Sequence, residues 1–465
     1  MKTRDLGLLL LGLVSATAAG AQEASLNRPG TGARAAGMGN AFIAVSDDGT
    51  AASWNPAGLS QLRQPEFSLV HSTSWRRQSR EGYRTLDRTA VFTNLATSST
   101  TSNVEFVSAA LPFSVTDRPV TLQFGWRRIY QFGDKLQGTI RRVPTAAEAR
   151  PEASIDLNNA SSGNIHLWTV AAAIRLTSRL SIGVGADFYR GGWDDRASVT
   201  ETPGIADQTD FLTNLTTHEV GGHSFNLGIL LAYPKVRLGA VYHGPLRSRF
   251  ELSESIRSNL VAPSDTAFGQ NGGLYIHLPR SVGVGVAWLP RPLLRFAADL
   301  TYDEWTKFLV DGNPAADGGV TSGFDGLPPE LSPTRNTITV NAGVERLFPS
   351  GGKVIPLRLG FSHEPQGARD PYLRENADQT ILAAGTGINT NTLKLDVALE
   401  YRWGRFGSSG GLSLVYATGR AEDFGLPLPP EAQGTTGIRE WRLKLSLIYR
   451  LASVGQLFGV LGKPF

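Results

Sequence analysis

Apolar and polar residues alternate one for one along several stretches of this chain. From Trp441 to Tyr449 every odd position is apolar or aromatic, Arg442, Lys444 and Ser446 take even positions, and Ile448 is the exception. Leu393, Leu395, Val397, Leu399, Tyr401 and Trp403 share one face, opposite Lys394, Asp396, Ala398, Glu400 and Arg402. Leu294 to Asp303 and Ser281 to Trp288 repeat the pattern. A period of two is the signature of a β-strand with two different faces. Several of these strands run for about ten residues and end in Trp or Tyr, as strands crossing a bilayer between aromatic girdles do. Strands of soluble sheets are usually about 5–6 residues long. The pattern predicts an all-β, antiparallel transmembrane barrel.

Connection lengths give the strand count. Short turns are expected at Ser114 to Pro119, Thr177 to Arg179, Tyr233 to Lys235, Leu289 to Pro292, Phe348 to Lys353 and Ile388 to Asn391. Between them lie long polar segments: Gly133 to Ser162, Gly191 to Val220, Arg247 to Pro279, Lys307 to Asn336, Glu364 to Asp378 and Gly404 to Gly437. Short periplasmic turns and long outer loops are the barrel arrangement. Strands fall near 65–75, 103–113, 120–132, 163–176, 180–190, 221–233, 235–246, 280–289, 292–305, 337–347, 355–363, 379–388, 391–403 and 438–451, which makes a 14-stranded barrel. The segment 86–96 is placed in the first outer loop or as an extension of the second strand, and Gly410 to Thr418 is treated likewise. If both span, the count becomes 16.

The N-terminus changes the picture of where the chain goes. Lys2 and Arg4 precede an apolar run from Leu6 to Val14, which is too short for a membrane helix. Ala19-Gly20-Ala21 then supplies a signal-peptidase pattern, so residues 1–21 read as a cleaved signal peptide. The 465 residues contain no cysteine, which removes disulfides, thiolate metal sites and thiol nucleophiles. An exported chain of this size without disulfides fits a bacterial envelope. A net charge of +4 does not argue for nucleic acid.

The stretch "GMGNAFIAVSDDGTAASWNPAGL", Gly37 to Leu59, fits neither helix nor strand. Extended to "GARAAGMGNAFIAVSDDGTAASWNPAGL", it resembles the N-terminal region of the outer-membrane long-chain fatty-acid and hydrocarbon transporter family (FadL/TodX-like). "LPRSVGVGVAWLPRPLLRFAADLTYDEWTKF", Leu278 to Phe308, and "IPLRLGFSHEP", Ile355 to Pro365, resemble later blocks of that family. The resemblance implies a barrel closed by an N-terminal hatch, uptake of hydrophobic molecules, and an exit through the barrel wall. It divides the chain into a signal peptide (1–21), a hatch (22–62) with Asp47, Asp48, Asn55, Pro56 and Ala57 as its motif, and a barrel (63–451). Residues 452–465 are a C-terminal extension or the shifted end of the last strand. The expected partners are a hydrophobic small-molecule ligand, outer-membrane lipid and the barrel assembly machinery. The protein is expected as a monomer in the bacterial outer membrane, without cofactor or nucleic acid.

Rival chemistries find little support. The Gly183-Val-Gly185 and Gly283-Val-Gly285 fragments do not complete a dinucleotide loop and read as small inward-facing strand residues. No G-x-S-x-G or H-E-x-x-H is present, and Asp47-Asp48-Gly49 lacks the spaced ligands of a calcium loop, so no enzyme activity and no metal is expected. The Asp pair reads as a turn or capping element. The lumen face carries Arg127, Arg295, Arg358, Lys394, Arg402, Arg442 and Lys444 beside Asp299, Glu345, Asp396 and Glu400. Such a set can pair internally. Alternatively Arg127 or Arg358 meets a ligand carboxylate through two hydrogen bonds. The resemblance associates a kink in the third strand with lateral exit, and Gly125 is the candidate there, since glycine in a strand can mark a bend. A second function stays open: a FadL-type barrel serving protein secretion or attachment without a ligand channel.

Overall fold

A computed structural model describes residues 30–85, 90–142, 153–202, 209–259, 264–268, 274–313, 318–370, 374–410 and 432–451. The expected signal peptide, the first residues of the expected hatch, the stretch beyond Gly410 and the tail 452–465 lie outside the described residues.

Fourteen antiparallel strands close into a barrel. They are β1 (Glu66–Thr85), β2 (Ala90–Val115), β3 (Arg118–Phe132, continued by Lys135–Arg142), β4 (Ala153–Arg175) and β5 (Leu180–Thr202). Next come β6 (Asp210–Ala232), β7 (Val236–His243, continued by Leu246–Ser258), β8 (Ser281–Arg291, preceded by Tyr275–Leu278) and β9 (Leu294–Asp303). The last are β10 (Thr337–Ser350), β11 (Lys353–Glu364), β12 (Gln379–Asn389), β13 (Leu393–Gly410) and β14 (Ala432–Arg450). Each strand pairs with the next, and β14 pairs with β1 from Glu66↔Arg450 to Thr85↔Ala432, which closes the sheet on itself.

Every strand expected from alternation is present, and the expected short turns join them. Two of these turns have both central residues in the left-handed region, Thr116–Asp117 and Gly351–Gly352, as two-residue hairpins require. The faces also follow the alternation. Leu395 and Leu399 are exposed on the outer wall, whereas Lys394, Asp396, Ala398 and Glu400 are buried toward the lumen.

One expectation needs correcting. The long polar segments are not mainly loops: β3, β4, β5, β6, β7 and β14 run through them as continuous ladders. There polar residues interrupt the alternation, although Leu136, Val199 and Leu212 are buried, so no clean hydrophobic period marks the strand. The segment 86–96 adds no crossing, and its described part, from Ala90, is the outer end of β2, the extension of the second strand that was expected as one of two placements.

The chain from Gly30 to Leu62 lies inside the barrel. Apart from Arg34, Asp47, Ser53 and Gln61, every one of these residues is buried. The segment folds as a short helix α1 (Ala33–Gly37) and 3-10 turns at Ala51–Ser53 and Pro56–Gln61. Met38, Phe42, Val45 and Trp54 form its own small core with Ala287 and Ala297 of the wall.

Candidate functional site

The lumen divides into a filled part and a hollow part. In the filled part Asn55 does several jobs. Its side-chain oxygen accepts from Ala57 N (3.1 Å), capping the Pro56–Gln61 turn, while its amide donates to the carbonyls of Ile43 (3.1 Å) and Ile229 on β6 (3.0 Å). The wall makes room for this: a Cβ at Gly183 would strike Pro56 and Ala57, and one at Gly228 would strike the Asn55 side chain. The Gly-Val-Gly fragments are therefore close-approach positions in strands, as expected.

The Asp pair splits its roles. Asp48 accepts from the Thr50 amide (3.0 Å) and hydroxyl (2.7 Å), the turn role read from sequence. Asp47 instead joins an ionic cluster. It is ion-paired with Arg34, with Arg237 of β7 (3.4 Å) and with Arg295 of β9 (3.5 Å). Burial alone would raise its carboxyl, but Arg34, then Arg295, Lys394 and Arg237 outweigh that and hold it well below the usual carboxylate range. Arg34 also forks onto both oxygens of Glu345 on β10 (3.0 Å each). Glu345 is shared in turn with Arg295 (3.3 Å) and Arg358 (2.8 Å). Asp299 on β9 accepts from two successive backbone amides, Phe42 (2.5 Å) and Ile43 (2.8 Å), pinning the bend between them.

The hollow part lies on the long-loop side. A cavity of about 410 Å³ has an apolar wall that includes Ile165, Val220, Phe250, Phe308 and Phe324, and a charged strip that includes Arg76, Arg127, Arg128, Arg442 and Lys444 with Glu105 and Glu440. Phe132, Trp193 and His218 form a continuous stack, with ring centroids 4.4 and 4.2 Å apart. Trp305, Phe308 and Phe324, from the segment between β9 and β10, pack edge to face, and Phe308 and Phe324 line the cavity.

The β2–β3 ladder is interrupted beside this cavity, although the Ser99 hydroxyl still donates to the Gly133 carbonyl across the interruption (3.3 Å). β2 and β3 pair from Val115↔Arg118 to Phe106↔Arg127 and again from Ser98↔Lys135 outward. Between these stretches, residues 99–105 and 128–134 form no ladder with each other. Both strands stay attached to their other neighbours, but each carries one extra residue. Glu105 is skipped in the register of β2 against β1, and Ile129 in that of β3 against β4. These bulges lie on neighbouring levels of β2 and β3, just where the ladder between them stops. Glu105 is held by Lys444 (2.8 Å) and by the hydroxyl of Thr31 (2.9 Å), so the edge of the gap touches the N-terminal segment.

Against this geometry two site expectations change. Gly125 does not bend β3; it pairs regularly with Ser108 and Thr169, and the interruption begins beyond Arg127. Arg358 is not placed to meet a ligand, because its fully buried guanidinium is engaged by Glu345 and Asp396 (2.7 Å). Arg127 is half-buried and lines both the large cavity and a smaller one of about 80 Å³ against the N-terminal segment. Sequence reasoning placed Asp299 on the lumen face but not its contact with the N-terminal segment, and it missed Arg34, the Glu105 and Ile129 bulges and the aromatic stack. Only the charged strand positions carried a local signal.

A family model described as outer membrane protein transport protein (OMPP1/FadL/TodX) matches residues 9–311. None of the curated proteins matches the chain. Among solved structures, a Pseudomonas aeruginosa FadL homologue superposes with a TM-score of 0.60 at 13% identity, covering 91% of this chain and 98% of that one. The P. putida toluene transporter TodX gives 0.56 at 13% identity, covering 91% and 99%. The Ralstonia pickettii toluene transporter TbuX gives 0.55 at 14% identity, covering 92% and 100%. These likenesses establish a shared fold.

Proposed function

The chain belongs to the OMPP1/FadL/TodX family of outer membrane transport proteins, and on that premise we propose that it passes hydrophobic small molecules through the outer membrane by a lateral route. The observation that carries this reading is the interrupted β2–β3 seam opening beside the aromatic cavity. A ligand enters from the long-loop side, rests against the Phe132–Trp193–His218 stack, and leaves sideways between residues 99–105 and 128–134. Residues 22–62 act as a hatch that shuts the axial path. No catalytic role is assigned to the protein.

The cavity's two-sided lining favours an amphiphile with an apolar body and a carboxylate head over a bare hydrocarbon. Aromatic and aliphatic groups take the body. Arg127, at the edge of the gap, offers the head a charge-assisted hydrogen bond.

The test is a closed seam. The register is the same on both sides of the gap, so Asn103 and Tyr130 would become partners if the ladder zipped shut. An Asn103→Cys/Tyr130→Cys pair can form a disulfide only when the strands approach to about 6–7 Å between Cα atoms. Oxidised, this variant should stop uptake of labelled long-chain carboxylates; reduced, it should restore it. Full uptake in the oxidised form places the exit elsewhere. Equal uptake by cells with and without the protein would favour the secretion or attachment reading.

A further inference from the structure

On the outside of the barrel, the outer parts of β1, β14 and β13 build a feature that lumenal transport does not use. Trp75, Trp441 and Tyr401 stand opposite one another in a row across the three strands. Two residues toward the long loops, Arg77 lies directly opposite Arg439, which lies opposite Trp403. Two residues further still, Ser79, Gly437 and Arg405 align. The alternation fixes their direction: Gln78, Ile438, Glu440 and Arg402 are buried on the lumen side, so these rows point outward.

Gly437 leaves the middle of the patch without a side chain. The result is a notch bordered by Arg77 and Arg439 on one side, Arg405 beside them, and the Ser79 hydroxyl opposite. A Cβ at Gly437 would stand 3.3 Å from Ser79 Oγ and begin to fill it. Arg77, Arg439 and Arg405 are all exposed, and among the described residues none of the three is hydrogen-bonded or ion-paired. This contrasts with the lumen, where Arg358, Arg402 and Arg442 all have carboxylate partners. Like charges directly opposite on neighbouring strands repel, their Cβ atoms being about 4.5–5.5 Å apart. An anion between them removes that cost. Glu81 and Glu375 stand one level further out, beside Thr435 and Gly407, which leaves Arg77, Arg439 and Arg405 as the charged groups of the notch's own two rows.

We propose that this notch binds a phosphate group of the phosphorylated glycolipid that forms the outer leaflet of the membrane. The aromatic row sets the depth, because exposed Trp and Tyr mark the bilayer interface. The arginines sit just beyond it on the long-loop side, at the level of lipid headgroups. Guanidinium forks match phosphate oxygens with paired hydrogen bonds, and the serine hydroxyl supplies a further donor.

Native mass spectrometry of the purified full-length protein tests this with three probes: bis-phosphorylated lipid A, the same glycolipid without phosphates, and inorganic phosphate. The wild type should hold the phosphorylated lipid and not the dephosphorylated one. Arg77→Gln/Arg405→Gln/Arg439→Gln should weaken binding roughly a hundredfold, from about a factor of five for each arginine near a charged lipid surface. Gly437→Leu, which keeps all three charges, should also weaken binding by filling the notch, and it carries the test if the triple variant fails to fold by heat-modifiable gel migration. Uptake through the lumen should be unchanged in both. Equal retention of both glycolipids, triple-variant binding equal to wild type, or retention of inorganic phosphate in place of the lipid would each overturn the proposal.

Discussion

The two parts of the lumen use one wall in opposite ways. Where the segment from Gly30 to Leu62 sits, strand glycines let backbone approach backbone, and ionic groups are consumed in pairs between segment and wall. Beyond it the same strands line a cavity with aromatic rings and with ion pairs made within the wall itself, Arg442 with Glu440, Lys444 with Glu105 and Arg76 with Asp134, and the β2–β3 ladder is interrupted. The difference teaches that charge in the lumen is not by itself a ligand signal. Arg358 and Arg127 read alike in sequence, but the first is locked between two carboxylates and the second faces a cavity.

The harshest way to break this contrast is to empty the filled part. Deleting residues 22–62 should leave a barrel that leaks polar solutes in liposome-swelling assays, the largest effect expected here. Permeability equal to that of the intact protein would count against the hatch. Glu345→Ala is a subtler break, since it strips one shared carboxylate from Arg34, Arg295 and Arg358. Removing one partner of a buried ionic cluster costs about 3–5 kcal/mol. The temperature at which the compact gel band is lost should fall accordingly; an unshifted band would mean that the cluster contributes little to stability.

Two arginine substitutions on one strand sharpen the picture of the wall. Leu395→Arg, on the lipid face, should destabilise by about 2–4 kcal/mol if it lies at mid-bilayer depth. From strand alternation alone Ala398→Arg looks mild, because the position faces the lumen. The structure reverses that expectation: Ala398 packs against Ala33 and Ala36, so a long side chain displaces the N-terminal segment. Ala398→Arg should therefore raise polar leakage while Leu395→Arg does not, and equal leakage from both would mean that this packing does not hold the segment.

The smallest effect expected is in the hollow part. Arg127→Ala should reduce uptake of carboxylate ligands by about tenfold, the worth of a hydrogen bond of about 1.5 kcal/mol to a charged group. Uncharged hydrocarbons should be much less affected. Gly125→Ala serves as a control, because a Cβ there meets nothing closer than 3.7 Å and the ladder around it is regular. An equal loss for both ligand types would make Arg127 a structural member of the charged strip.

The sequence alone determined the barrel, the fourteen segments that cross, with two more left open, and which face of each crossing meets lipid. Each of those is written residue by residue: a position facing hydrocarbon must be apolar, its neighbour need not be, and the period is visible without knowing any partner. Tertiary structure alone decided the rest. Arg34 and Glu345 are 311 residues apart, and nothing in either neighbourhood names the other. The outer strand extensions are rich in polar residues that break the hydrophobic period, so only pairing reveals them. The open seam depends on two single-residue bulges, Glu105 and Ile129, brought to neighbouring levels by the pairing of β2 with β3. A bulge is a mismatch of register between two chain segments, and register does not exist until the segments meet.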